Sequence, residues 1–264
     1  MPQFNTLELD FSDNGVATLW LNRPEKNNAF NGEMIRELLL AFDEIETRPT
    51  LRFLLLRGRG THFSAGADLT WMKESAKLDY SANLNDAREL AQVMASLYQL
   101  KLPTLAVVQG AAFGGALGLI SCCDIAIGAE DSLFCLSEVR IGILPAVISP
   151  YVVKAIGERA ARRYALTAER FDGRQAQHLG LLAACYSTPE LEQAVSDWTS
   201  NLLQNGPAAM RATKALMQEV KHGELTPALR RYTESAIARV RVSPEGQEGL
   251  TAFLDKRKPA WQEH

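Results

Sequence analysis

Histidine and cysteine are both scarce in this chain, with four of each among 264 residues. The cysteines are Cys122, Cys123, Cys135 and Cys185, and no two of them form a C-x-x-C pair. Zinc sites and redox-active thiol pairs commonly use such spacing. We therefore predict no metal site and no disulfide framework, and a chain that works in the reducing cytoplasm.

Basic residues are not in excess either, because 28 Lys and Arg stand against 31 Asp and Glu, for a net charge of −3. Without a basic stripe we expect no nucleic-acid partner. Glycine or charged residues break the apolar runs well short of a membrane span. The first residues, MPQFNTLELDF, lack the basic and apolar regions of a secretory signal. We expect no membrane association.

Hydrophobic residues make up 47% of the chain, which is enough for a substantial core. Alternating runs at 6–11 and 16–21 predict a hairpin, and Asn31 is placed to cap a helix ending near Glu46. Residues 70–80 are polar and poorly periodic, which predicts a mobile segment. Buried strands, short helices and a loose strand–strand–helix recurrence fill 1–190 and predict an α/β, coiled and layered core domain. Residues 191–264 predict helices alone.

The segment 106–127, AVVQGAAFGGALGLISCCDIAI, reads as a buried strand, a glycine-rich turn, a short helix and a second strand. A helix that begins near Gly114 points free N–H groups and the positive end of its dipole into the turn. Such a turn can hold negative charge that develops on an oxygen. Tight packing of a small-residue helix against a sheet is the alternative explanation.

Six segments together carry a resemblance to a known family. They are LNRPEKNNAF at 21–30, FSAGADL at 63–69, QGAAFGGALGL at 109–119, CD at 123–124, SEVRIGILP at 137–145 and FLDKRKPAW at 253–261. In this order they resemble the crotonase family, also called enoyl-CoA hydratase/isomerase. The stretch from EVRIGILP to ALTAERF is most similar to bacterial hydratases of 3-methylglutaconyl-CoA or isohexenylglutaconyl-CoA.

The resemblance implies the crotonase fold, a spiral of ββα turns in two roughly perpendicular sheets, with a helical C-terminal trimerisation region. It implies an acyl-CoA substrate, no cofactor beyond the coenzyme A of that substrate, and a homo-oligomer that is a trimer or a dimer of trimers. The glutaconyl-type similarity implies a role in leucine or acyclic terpene degradation.

The family stabilises a thioester enolate with two backbone N–H groups, which by motif position fall on Ala67 and Gly115. Glu138 matches a family acid/base position, and its apolar neighbours can raise the pKa of its carboxyl. Alone, Ala67 would be an ordinary loop alanine and Glu138 an exposed loop glutamate. Together they predict acid/base chemistry on an enolate.

The chain departs from the family at Gly118, where two-carboxylate hydratases carry a glutamate. Glu138 then takes a proton from the added water and gives one to C2, or the substrate's own carboxylate supplies the missing group. We favour the first mechanism for a hydratase. A double-bond isomerase using Glu138 alone remains an alternative, as do decarboxylation of a malonyl-type thioester and a noncatalytic CoA- or RNA-binding module.

The resemblance also assigns contacts to coenzyme A. These residues are Lys26, Ala65, Asp68, Gly114, Phe253 and Lys256, although Lys256 is nearly as well explained as a solvated charge. A glutaconyl substrate brings a second carboxylate, which needs a cation or water. The cations nearby in the sequence are Lys73, Lys77, Arg88 and Arg140. Trp71, Met72 and the helix predicted from Ser81 are expected to line the acyl end.

Overall fold

A computed structural model describes residues 3–221 and 224–262. The hairpin at the start is confirmed, since β1 (Leu7–Phe11) pairs antiparallel with β2 (Val16–Leu21). The remaining strands are β3 (Phe53–Gly58), β4 (Thr104–Val108), β5 (Ala111–Phe113), β6 (Ile125–Ala129), β7 (Leu133–Cys135), β8 (Phe171–Asp172) and β9 (Ala184–Tyr186).

Helices fill the connections between strands and then the C-terminal part of the chain. They are α1 (Gly32–Glu46), α2 (Leu69–Ser75), α3 (Tyr80–Gln99), α4 (Gly115–Cys122), α5 (Ser149–Ile156), α6 (Glu158–Thr167), α7 (Gly173–His178), α8 (Leu191–Leu203), α9 (Pro207–Val220), α10 (Pro227–Val242) and α11 (Pro244–Leu254). No helix in the described ranges is long and apolar enough to span a bilayer.

Two sheets organise the strands. The larger has the order β1-β2-β3-β4-β6-β9 and is parallel from β2 onward. Every residue of β4 is buried, which explains its continuous apolar run. The smaller sheet has the order β5-β7-β8, and the chain enters it directly after β4 through Gln109 and Gly110.

The helix expected after Asn31 is confirmed as α1. The Asn31 side chain accepts a hydrogen bond from the Met34 N–H at 2.9 Å, which satisfies a donor that the first turn leaves free. Met34, Leu38 and Phe42 are buried on one face, as their spacing predicts.

Two segments contain elements that the sequence pattern does not predict. Most of α2 lies within 70–80, because the Asp68 side chain caps it by accepting from the N–H groups of Thr70 and Trp71. The mobility of this segment stays a prediction. The glycine-rich turn also contains the strand β5, whose three residues between Gly110 and Gly114 are too few for periodicity to reveal.

The chain forms two compact units. The first holds the residues up to Leu100 together with Thr104–Val195, and the second holds Lys101–Pro103 and the chain from Ser196 onward. The boundary that the sequence predicts, between residues 190 and 191, falls a few residues before this division. Both sheets lie in the first unit, and α9, α10 and α11 lie in the second.

Candidate active site

Three loops meet because the strands before them lie side by side. Ser64 forms a parallel bridge with Ala112 of β5, and Ala112 is paired in parallel with Phe134 of β7. Loops that leave parallel neighbours emerge at the same edge. This register brings the loops that carry Ala67, Gly115 and Glu138 together, as the sequence motifs predict.

All three residues line one cavity of about 630 Å³ in the first unit. Most of its wall is apolar. It comes from Phe30, Trp71 and Met72 earlier in the chain and from Ile141 and residues 143–148 later in it. The cavity therefore offers a largely apolar surface beside the two backbone positions and the carboxyl group.

The Ala67 N–H group is left free by the way its loop is anchored. The N–H of Phe30 donates to the carbonyl of Gly66 at 2.7 Å, and the N–H of Asp68 donates to the carbonyl of Phe30 at 2.8 Å. These two bonds use the groups on either side of Ala67. Within the described ranges the Ala67 N–H itself has no hydrogen-bond acceptor.

The Gly115 N–H is free because Gly115 is the first residue of α4, where backbone N–H groups have no partner within the helix. The N–H of Gly114 instead donates to the carbonyl of Cys135 at 2.9 Å. Gly114 therefore anchors the turn, and Gly115 presents the donor. Two unsatisfied N–H groups beside one cavity can together bind an oxyanion.

Glycine is required at both loops. Gly66 has φ +91°, and a Cβ there would lie 2.9 Å from the carbonyl oxygen of Phe113. Gly114 has φ +53°, and a Cβ there would lie 3.2 Å from Oε1 of Glu138. A side chain at either position would displace a neighbouring donor loop or the carboxyl group.

Glu138 opens a short 3-10 turn, Glu138–Ile141, at the cavity wall. Its Oε2 atom is buried and accepts no hydrogen bond from any described residue. Removal from water raises the pKa of the Glu138 carboxyl above its ordinary value. A carboxyl with a raised pKa and a free oxygen is suited to exchanging protons near neutral pH.

The space beside Gly118 is already filled. A Cβ at this position would lie 2.3 Å from Cγ2 of Ile148 and 3.0 Å from Sδ of Met94. Ile148 also lines the cavity. An apolar side chain therefore occupies the place where the family resemblance would put a second carboxylate.

The residues assigned to coenzyme A lie in several environments. Lys26 is exposed on the loop before α1, and the Ala65 N–H donates to the carbonyl of Asn27 at 2.9 Å. Asp68 caps α2 and forms an ion pair with Arg23 at 3.1 Å. Burial raises the pKa of Asp68, but hydrogen bonds from the backbone N–H groups and Arg23 outweigh it and lower the pKa overall.

Phe253 and Lys256 lie in the second unit, near the end of α11, and both are exposed. The contacts of these residues and of Lys26, Ala65 and Asp68 with coenzyme A stay predictions.

Trp71 and Met72 line the cavity, as the sequence predicts. None of the four cations considered for a substrate carboxylate does. Arg140 instead donates to the carbonyl of Ala168 at 2.7 Å, and Arg88 donates to Asn85 at 3.1 Å. Side chains on one helix or turn point to different sides, so nearness in sequence does not decide which group meets a substrate carboxylate.

The lining residues that sequence reasoning did not single out include Ser75, Asp86 and Ile148. Ile148 comes 30 residues after Gly118 in the chain, and its role depends on the packing of α5 against α4. The sequence gives only a weak signal for Asp86, which is one acidic residue on a helix expected to line the acyl end.

The sequence profile of one family, described as "Enoyl-CoA hydratase/isomerase", matches residues 12–264. The hydroxycinnamoyl-CoA hydratase-lyase of Pseudomonas fluorescens is 31% identical, over 98% of this chain and 96% of its own. The 2,3-dehydroadipyl-CoA hydratase of Escherichia coli is 29% identical, over 92% of this chain and 94% of its own.

The fold is shared with solved structures. A crystal structure of an enoyl-CoA hydratase from Shewanella pealeana is 47% identical and has a TM-score of 0.93, covering 98% of this chain and 97% of that one. This protein belongs to the enoyl-CoA hydratase/isomerase family and has the α/β crotonase fold that the sequence predicts. Membership supports hydratase/isomerase-type chemistry on an acyl-CoA.

Proposed function

We propose that this protein is an acyl-CoA hydratase that adds water across the C2=C3 bond of an enoyl thioester, with Glu138 as its acid/base group. One observation carries the proposal. The unpartnered Oε2 of Glu138 and the free N–H groups of Ala67 and Gly115 belong to one cavity. These are the groups that proton transfer next to a stabilised enolate needs.

The reaction proceeds through two proton transfers, and Glu138 takes part in both. The Glu138 carboxylate takes a proton from water while the hydroxyl oxygen bonds to C3. The C2=C3 electron pair moves toward the thioester, and the resulting enolate oxygen accepts hydrogen bonds from the Ala67 and Gly115 N–H groups. The protonated Glu138 then gives its proton to C2, and the thioester carbonyl forms again.

The substrate we propose is an alkyl-substituted glutaconyl-CoA, either 3-methylglutaconyl-CoA or isohexenylglutaconyl-CoA. The similarity of residues 138–171 to hydratases of these thioesters supports it, and so does a mostly apolar cavity wall that suits an alkyl branch. Because none of the expected cations lines the cavity, we propose that water meets the substrate's carboxylate.

A double-bond isomerase is the second candidate, and the contact between Gly118 and Ile148 favours it. An isomerase moves a proton between two carbons and needs no water bound opposite Glu138. Position 118 carries no polar side chain that could hold such a water, and Ile148 fills the space beside it. Incubation with a 3-enoyl-CoA separates the two, because an isomerase shifts the double bond without a gain of mass.

We also propose that the C-terminal helices form a trimerisation region, in a trimer or a dimer of trimers. Large apolar side chains are exposed within the second unit, including Leu225 (95%), Phe253 (81%) and Val242 (74%). Large exposed apolar patches commonly mark protein–protein interaction sites. Sedimentation of the purified protein tests the assembly, and a monomer at micromolar concentration would contradict it. The cytoplasmic location stays a prediction.

Hydration is tested by incubating the protein with either glutaconyl thioester and measuring the molecular mass of the product. The proposal expects a gain of one water and loss of the ultraviolet absorbance of the conjugated enoyl thioester. An unchanged absorbance with retained binding would point to a noncatalytic CoA-binding module.

A further inference from the structure

The charged side chains that line the cavity, among the residues described, are both acidic. They are Glu138, which carries the proposed proton transfers, and Asp86 on α3. The proposed mechanism does not use Asp86. A carboxylate at a cavity wall changes the electrostatic potential felt by any acyl group that reaches it.

Asp86 belongs to a small polar cluster with Ser75 and Asn83, which also line the cavity. Ser75, the last residue of α2, donates from its hydroxyl to Oδ2 of Asp86 at 3.4 Å. Asn83 lies one helical turn before Asp86 and donates from Nδ2 to the carbonyls of Leu78 and Asp79, each at 3.0 Å. The side-chain polar hydrogens of Ser75 and Asn83 are thus used in these hydrogen bonds.

The atoms that remain are hydrogen-bond acceptors. They are the carboxylate oxygens of Asp86, the side-chain oxygen of Asn83 and the lone pairs of the Ser75 hydroxyl. In the described part of the chain no Lys or Arg nitrogen lies within 4.0 Å of the Asp86 carboxylate, so no ion pair compensates its charge. An acceptor-only cluster with a negative charge repels a carboxylate and tolerates a neutral group.

We propose that Asp86 is a specificity-determining residue that keeps carboxylate-bearing chain ends away from the α2–α3 side of the cavity. This inference rests on the proposed acyl-CoA chemistry and narrows its substrate. In a glutaconyl thioester, the neutral alkyl branch at C3 faces Asp86 and the carboxymethyl branch faces away. A straight chain that ends in a carboxylate has no neutral branch to offer and is disfavoured.

One relative is named for 2,3-dehydroadipyl-CoA, a six-carbon chain with a terminal carboxylate, which is the kind of thioester that we expect this protein to disfavour. The inference is tested with that thioester and with 2-hexenoyl-CoA, a neutral chain of the same length. The variant is Asp86→Asn, which keeps an oxygen to accept from Ser75 and removes the charge. Glu89→Gln is the matched control, because it removes a charge from the same helix at a residue that does not line the cavity.

Wild type is expected to prefer 2-hexenoyl-CoA in kcat/KM. Asp86→Asn is expected to reduce that preference about tenfold, or ~1.4 kcal/mol, and Glu89→Gln to leave it unchanged. A preference that Asp86→Asn does not change, or a wild-type preference for the dicarboxylic thioester, would overturn the inference.

Binding separates this inference from the proposed reaction. The dissociation constants of hexanoyl-CoA and adipyl-CoA, which are saturated and cannot be hydrated, are measured by calorimetry on the same three proteins. The same tenfold change in relative affinity supports the role of Asp86 even if no thioester is hydrated. Equal relative affinities in wild type and Asp86→Asn refute it.

Discussion

Ile148 fills the space that a side chain at Gly118 would need, because a Cβ at position 118 would lie 2.3 Å from Cγ2 of Ile148. The family resemblance associates this position with a glutamate, and here the volume belongs to an isoleucine that lines the cavity. The absence of a second carboxylate is therefore built into the packing of α4 against α5. A single substitution to glutamate does not reverse it.

Gly118→Glu is expected to destabilise the fold, because the new side chain would displace Ile148 and Met94. Overpacking of a well-packed core costs about 1–3 kcal/mol, and burial of a carboxylate adds to that cost. Urea denaturation measures the free energy of unfolding. The double variant Gly118→Glu/Ile148→Ala is expected to recover part of the loss, since it opens the space. A single variant as stable as wild type would contradict the packing account.

Glu138→Gln is expected to lower the hydration rate about 10²–10⁴-fold, the usual contribution of a general acid/base group. Glutamine has nearly the same shape, so the Ala67 and Gly115 donors and the cavity are retained. The absorbance of the enoyl thioester measures the rate, and binding of a saturated acyl-CoA serves as the control. Hydration that survives nearly intact would remove Glu138 from the mechanism.

The same substitution is expected to alter the pH dependence of stability. Burial raises the pKa of Glu138 in the folded state above its ordinary value of 4.5, so the folded protein holds this proton to higher pH than the unfolded chain. Stability from this group is present below the ordinary pKa and is lost as pH rises through the raised one. Glu138→Gln is therefore expected to gain stability relative to wild type as pH rises.

Thermal unfolding of both proteins from pH 4 to pH 8 measures this difference. A Tm difference that is constant with pH would mean that the carboxyl group has the same pKa in both states, which would contradict the effect of its burial.

Gly66→Ala is expected to lower kcat by displacing the Ala67 donor loop, since the added Cβ would approach the carbonyl of Phe113 to 2.9 Å. Loss of one such donor commonly costs about 10²–10³-fold in kcat. Gly157→Ala is the matched control, with a similar φ of +78° but no atom within 4 Å of its Cβ. Both variants place a side chain at positive φ and so strain the backbone. Equal kcat values in the two variants would therefore contradict a role for the loop.

Much of the fold is predictable from sequence because its elements carry local signals. The Asn31 cap and the apolar spacing that follows it predict α1, and the continuous apolar run of β4 predicts a buried strand. The strand β5 is not predictable in this way, because its pairing with β7 and with Ser64 is set by distant residues.

The residues of the site likewise divide into those that local sequence motifs predict and those that depend on packing. Ala67, Gly115 and Glu138 are found from motifs, since each belongs to a short segment with a recognisable pattern. Ile148 and Asp86 are not, because their roles depend on which helix face meets the cavity. For the same reason, nearness in sequence does not decide whether a cation or water meets the substrate's carboxylate.

We propose that this protein hydrates an enoyl thioester with one carboxyl group and two backbone donors. The most direct test is turnover of 3-methylglutaconyl-CoA and its isohexenyl analogue side by side, with the product identified by mass. We expect a gain of one water on at least one of them. No gain of water, with a shifted double bond on a 3-enoyl-CoA, would contradict it and identify an isomerase.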